Sequence, residues 1–220
     1  MHFSAGYSGQ RFISTHRPDG PVIGAALFCG PLFHEYYKAH AWLRQVAVDL
    51  ASAGWFVTRF DFSGQGDSLV DPEAISLANW LDDVRHAAEI TRQQSGCAHF
   101  DVISVRLSGL LVDRADLHQR LHVAIDPVRN GREYIQELRR RQAHLRSRQP
   151  QPVEPELSRQ GPYEELLGER YPALLVDSIS DLRAGAAADV ELASSFKWST
   201  ISLERAWLPE IGERMAGVLS

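Results

Sequence analysis

Cysteine is scarce in this chain: Cys29 and Cys97 are the only two among 220 residues. Two thiols without a secretory leader exclude a disulfide-built secreted scaffold and predict a reduced, cytoplasmic protein. The N-terminus, Met-His-Phe-Ser-Ala-Gly-Tyr, has no cationic stretch leading into an apolar core, so no signal peptide is read there. No uninterrupted apolar run approaches the roughly 18 residues that a membrane span requires. A basic excess is missing too: 23 Lys and Arg against 28 Asp and Glu give a net charge of -5, with a pI near 6.0. That balance argues against general nucleic-acid or anionic-membrane binding. Internal repeats are absent, and neither a metal nor a cofactor is expected.

Core material, by contrast, is ample. Hydrophobic residues make up 44% of the chain, enough for one domain spanning residues 1–220. Strand-like and helix-like segments alternate, which predicts the α/β class: a mostly parallel sheet with helices on both faces. Residues 10–16 read as an edge strand and Val22–Phe28 as a buried one. Ala39–Ser52 has helical spacing (Trp42, Val46, Leu50), with Gly54 suited to its C-terminal cap. Trp55–Phe60 is a strand. Ser76 caps a second helix running to about Gln94, with Leu77, Trp80, Leu81, Val84 and Ala88 as its apolar stripe. Phe100–Ser104 and His122–Ile125 are further strands. Residues 132–148 form a basic helix, and the three prolines of Gln149–Pro155 break it into an exposed connection. Residues 131–172 therefore read as an inserted helical lid, too polar for a core of its own. Ala173 to Ser220 supplies a helix, one or two strands and a closing helix.

The segment that carries the chemistry is His99 to Val112, a short strand, a tight turn and an apolar helix. In α/β hydrolases that position holds Gly-x-Ser-x-Gly, the elbow that lifts a serine hydroxyl above the sheet. Here the five places are Ser104, Val105, Arg106, Leu107 and Ser108, so the tip is Arg106. A guanidinium is protonated at any working pH and only donates hydrogen bonds, so it cannot attack an acyl carbon. The base is missing as well. In this fold the triad runs nucleophile, acid, histidine, yet no histidine follows His144. Ser104 and Ser108 lie off the tip, and the sequence assigns no histidine to activate either.

Other groups surround this turn. Asp61-Phe-Ser-Gly-Gln-Gly-Asp-Ser68 is neither Gly-x-Gly-x-x-Gly nor a Gly-Lys-Ser/Thr phosphate loop. Asp61, Gly64, Gly66 and Ser68 fit instead the Asp-x-x-Gly-x-Gly-x-Ser turn of α/β hydrolases, an architectural bend. His34 and Glu35 occupy the loop that supplies one oxyanion N–H in such enzymes. Two readings stay open: they line a pocket, or Glu35 pairs with Lys38 or Arg106 and holds the loop. Cys29 closes an apolar strand, a setting that raises a thiol pKa and makes it inert. Asp126 should emerge beside Arg106, either neutralising it or completing an anion site with it. Arg139, Arg140 and Arg141 form a solvated helix face or a docking patch for an acidic partner.

These blocks together resemble the exosortase A system-associated hydrolase 2 family of bacteria, distantly related to serine aminopeptidase-like hydrolases. The resemblance rests on Gly30 to Lys38, Asp61 to Ser68, Trp80-Leu-Asp-Asp-Val84, Ser104 to Ser108 and Asp126 to Tyr134. Weaker echoes follow at Glu165 to Leu182 and Phe196-Lys-Trp198. That family carries Gly-Leu-Arg-x-Gly at the elbow, so Arg106 matches it, whereas Ser104 and Ser108 depart from it. The resemblance implies an α/β-hydrolase fold and a setting near exopolysaccharide and acyl-carrier machinery; fold alone does not establish activity. The expected function is non-catalytic binding of a small acyl or anionic ligand by Arg106, Glu35, His34, Asp126 and Leu107. The alternative is an esterase or thioesterase with an atypical nucleophile. A third reading has Arg139, Arg140 and Arg141 docking an acidic carrier protein.

Overall fold

Short strands buried along nearly their whole length organise this fold, and the computed structural model describes it for residues 2–8, 10–148, 159–185, 188–194, 196–198 and 217–219. In chain order, β1 (His2–Ser8) and β2 (Arg11–Arg17) form a hairpin, followed by β3 (Gly24–Cys29), α1 (Glu35–Ser52) and β4 (Trp55–Phe60). Next come α2 (Leu77–Ser95), β5 (Asp101–Val105), α3 (Ser108–Ala115), β6 (Leu121–Ile125) and α4 (Gly131–Ser147). Three short strands follow, β7 (Arg159–Gln160), β8 (Tyr163–Leu166) and β9 (Glu169–Pro172), then α5 (Ala173–Ser180) and β10 (Val190–Leu192). The main sheet has the order β1-β2-β4-β3-β5-β6-β10. The β3, β4, β5, β6 and β10 pairings are parallel, while β1–β2 and β2–β4 are antiparallel.

The central strands are buried on both faces, as a parallel sheet between helices requires. Ala25, Leu27 and Cys29 of β3 join Trp80, Val84, Leu110 and Leu111 of α2 and α3. Ala26 and Phe28 face the other way, onto Trp42, Leu43 and Val46 of α1. Helix α2 starts where the sequence predicts: Ser76 and Asn79 close a capping box, and Gly96 ends the helix at φ 72°.

Two expectations change. The 10–16 strand is not at the sheet edge, because the first residues form β1 outside it. The 131–172 insertion is only half helical, and its second part is the antiparallel β7–β8–β9 sheet. It packs on the body: Tyr134, Ile135, Leu138, Leu166 and Tyr171 belong to the same core cluster as Trp80. A narrow apolar stripe is all that a docked helix needs. The Gln149–Pro155 connection and most of the closing helix lie outside the described residues.

The glycine turn after β4 is built as expected. Asp61 accepts from Tyr36 Oη at 3.0 Å and from the Asp67 amide at 2.9 Å, and Ser68 Oγ donates to the Asp61 carbonyl at 2.7 Å. Gly66 sits at φ 54°, and a Cβ there would lie 2.2 Å from Asp61 Oδ2. Gly66→Ala should therefore lose about 2 kcal/mol or more of stability, combining left-handed strain with overlap. Urea denaturation checks this; an unchanged midpoint contradicts the assigned turn.

Candidate functional site

The elbow is formed. β5 ends at Val105, Arg106 takes φ 58°, and α3 begins at once. Left-handed backbone costs a non-glycine residue about 1 kcal/mol, so neighbouring contacts must hold it there. The Arg106 amide donates to Ile125 O at 3.0 Å, and its carbonyl accepts from Val128 and Gly109, each at 3.3 Å. The two serines that replace the usual glycines are tied down by their hydroxyls. Ser108 Oγ accepts from the Val105 amide at 2.9 Å and donates to the Cys29 carbonyl at 2.7 Å.

The Arg106 side chain is held rather than free. Its Nε donates to Glu35 Oε1 at 3.1 Å, and its Nη1 donates to the Asp126 backbone carbonyl at 3.2 Å. The guanidinium lies 5.8 Å from the ring centres of both Tyr134 and Trp198. Tyr134 Oη donates to the second Glu35 oxygen at 3.0 Å. Glu35 is fully buried, whereas the Arg106 side chain keeps 15% exposure. Burial pushes the Glu35 carboxyl up, while Arg106 and the Tyr134 hydroxyl pull against that shift. Burial alone would lower Arg106, but the Glu35 charge outweighs it and the net direction is up. Of the open readings for Glu35, pairing with Arg106 is the one realised.

His34 stands next to this pair. Its Nε2 accepts from Arg141 Nη1 at 3.1 Å, which requires a neutral ring. Burial first, then the Arg141 and Lys38 charges, lower its pKa to about 3. Cys29 is fully buried, and burial pushes its thiol far up, the inert state expected of it.

Several placements differ from those read in the sequence. The Asp126 carboxylate does not meet Arg106; it accepts from the Ser194 amide and from Trp198 Nε1, both at 2.7 Å. The loop after β10 offers neutral donors there, and Glu35 already balances the guanidinium. Leu107 has its side chain wholly in the core, so only its backbone, where α3 begins, lies at the elbow. Arg139, Arg140 and Arg141 of α4 do not share a face. Arg139 forks onto Glu164 at 2.6 and 2.8 Å, Arg140 is exposed, and Arg141 is buried against His34 and Glu137. Among the described residues, no group of three or more His, Cys, Asp or Glu is arranged to hold a metal.

One constellation was missed. Ser104 Oγ lies 2.8 Å from His122 Nε2, and His122 Nδ1 lies 3.8 Å from Asp113 Oδ1. The signal was available in the strand register, where Val102 pairs with His122 and Ser104 with Ala124. Ser104 and His122 therefore project from the same sheet face. The serine nonetheless lies under α3: it is 1% exposed, and a Cβ on Gly109 would come within 3.3 Å of its hydroxyl. Burial lowers the His122 pKa against the opposing charges of Asp113, Asp189 and Glu191. The imidazole can accept the serine proton, but α3 roofs the oxygen that would attack.

Among sequences, no family model and no curated protein matches this chain. Among solved structures it is similar to Est1E from Butyrivibrio proteoclasticus, described with ferulic acid bound, at TM-score 0.55 and 14% identity. That match covers 79% of this chain and 68% of the other. A lid-less α/β serine hydrolase from Xanthomonas campestris aligns at TM-score 0.47 and 24% identity, over 57% of this chain and 61% of the other. A proline iminopeptidase-related protein from Thermus thermophilus aligns at 0.46 and 20%, over 71% and 54%. This chain therefore spans less than two thirds of the length of these last two proteins. The strand order and the Est1E likeness show an α/β-hydrolase-like fold.

Two measurements check the site. Glu35→Ala strands a largely buried cation and should cost about 3 kcal/mol in urea denaturation. Adding Arg106→Ala should recover part of that loss, whereas strictly additive losses would show that the two groups do not interact. His34 sets a pH dependence of definite sign. Its folded pKa, about 3, lies below the unfolded value of about 6.5. Between those values only the unfolded chain takes the proton, so stability present above pH 6.5 drains away as pH falls toward 3. His34→Gln should show a shallower decline of melting temperature from pH 7 to 4; a parallel curve contradicts the assignment.

Proposed function

We propose that this chain is a non-catalytic α/β-hydrolase-fold protein that binds a small acyl or anionic ligand at its elbow instead of hydrolysing it. The carrying observation is Arg106 at the strained tip, φ 58°, with Glu35 and Tyr134 fixing the side chain from behind. Among the described residues Nε and Nη1 are engaged, and the Nη2 edge of the guanidinium is the donor assigned to a ligand oxygen. The backbone at Leu107 opens α3 at the same point, where a helix start favours negative charge. His34 and the backbone of Asp126 border the spot and position it. This reading suits a reduced, cytoplasmic bacterial protein working beside acyl-carrier or exopolysaccharide chemistry, as the family resemblance implies. An acidic carrier would meet α4 mainly through Arg140 and the outer edge of Arg139.

The second reading, an esterase or thioesterase with an atypical nucleophile, is favoured by one observation, the 2.8 Å contact between Ser104 and His122. It requires α3 to lift from the sheet. Inorganic phosphate and butyryl phosphate should raise the melting temperature of the unaltered protein, and Arg106→Ala should abolish that rise. An undiminished rise in the variant contradicts the elbow site. Turnover of p-nitrophenyl butyrate or a butyryl thioester that disappears in Ser104→Ala would establish the second reading instead.

A further inference from the structure

The main sheet ends on one side at β10 and on the other at β1, and the two edges differ. β10 spans three residues and carries Glu191, which Arg129 engages. Short length and charge are common ways of blunting a sheet edge. β1 has neither. It runs for seven residues, His-Phe-Ser-Ala-Gly-Tyr-Ser, without a lysine, arginine, carboxylate or proline. Its register against β2 is one-to-one from His2↔Arg17 to Ser8↔Arg11, so no bulge twists it away. Helices α1 and α2 pack on β2, whereas β1 makes its contacts chiefly with β2. Among the described residues no further strand pairs with β1. Alternate N–H and C=O groups along its outer side therefore face away from the ladder.

The residues along this edge also suit a partner. Phe3 lies over His16 with ring centres 5.0 Å apart, yet keeps 53% exposure. Ala5 and Gly6 are exposed, and a Cβ on Gly6 would meet nothing within 4 Å. The order of residues narrows what that partner is. Read outward from Ala5, the strand is nearly the same in both directions: Ser4 and Gly6 are small, Phe3 and Tyr7 aromatic, His2 and Ser8 polar. An antiparallel strand of the same sequence, centred on Ala5, sets aromatic opposite aromatic and small opposite small. Aromatic cross-strand pairs stabilise a ladder, and like charges directly opposed weaken it. Here the first are available and no Asp, Glu, Lys or Arg is present to supply the second.

We infer that β1 is a self-association edge. Two copies of this chain pair β1 with β1 in antiparallel register about a two-fold axis at Ala5, joining two seven-stranded sheets into one. The contact uses the same surface on both copies, so it closes as a dimer instead of growing into a fibre. It also satisfies the outward amides and carbonyls of both edges at once. The elbow, which follows β5 in the middle of the sheet, takes no part, so this inference stands or falls apart from the ligand site.

The test is sedimentation velocity of the unaltered protein at rising concentration. The mass should climb from 24.6 kDa toward twice that value. Ala5→Lys and Ala5→Glu each set like charges face to face at the axis, so each alone should stay monomeric. Mixed in equal amounts they should recover the dimer, which misfolded variants cannot do. A monomer at every concentration, which would leave the edge to a strand of some other protein, overturns the inference. So does a dimer that survives in either variant alone, or a mixture of folded variants that stays monomeric. If the variants do not fold, amide hydrogen exchange of the unaltered protein decides. Protection of residues 2–8 should rise with concentration while β10 stays unchanged; a dimer that leaves β1 unprotected overturns the proposal.

Discussion

Arg106 and Glu35 meet at 3.1 Å at the carboxyl ends of the central strands, one from the elbow after β5, the other from the start of α1. Charges so nearly dry hold together only when they are paired and hydrogen-bonded. The neighbouring elements accordingly converge on them. Tyr134 of α4 completes Glu35, and the Asp126 carbonyl beyond β6 completes Arg106. Trp198 lies beside the guanidinium and ties the loop after β10 to the Asp126 carboxylate. The inserted segment is thus anchored through a residue that serves the elbow. Its apolar stripe continues the anchoring, with Tyr171 meeting Phe33 edge-on at 4.6 Å.

This arrangement separates the shape of the elbow from its usual chemistry. The strained turn persists, but it presents a permanent cation, and the serines flanking it are turned inward. Ser108 locks the turn to the Cys29 carbonyl, and Ser104 meets His122 beneath α3. A hydroxyl beside an imidazole is half of a nucleophilic site; the other half is access, which the packing of Gly109 over Ser104 removes.

Much of this was legible in the sequence. Strand and helix periodicities located β4 residue for residue and most others within a few positions, because each is a local pattern. The Asp61 turn was legible because Gly64 and Gly66 both take positive φ and Gly66 sits where a side chain has no room. Partner choice was not legible. Asp126 stands two residues before Val128 in a plausible position to meet Arg106, yet donors 68 and 72 residues away take its carboxylate. Arg141, one of a run of three, turns inward because helical geometry sends its neighbours to other faces. The Ser104–His122 contact lay hidden behind the expectation that a base must follow the inserted segment, although strand parity alone would have aligned the two.

The central claim of the proposed reading is that neither serine beside the elbow, Ser104 or Ser108, is an exposed, activated nucleophile, with Arg106 at the tip between them. Incubation with a fluorophosphonate, which forms a stable adduct with activated serines, followed by intact-mass and peptide mass spectrometry, tests it directly. The account predicts that both serines stay unmodified after prolonged exposure. A stoichiometric adduct on Ser104 or Ser108 would contradict it.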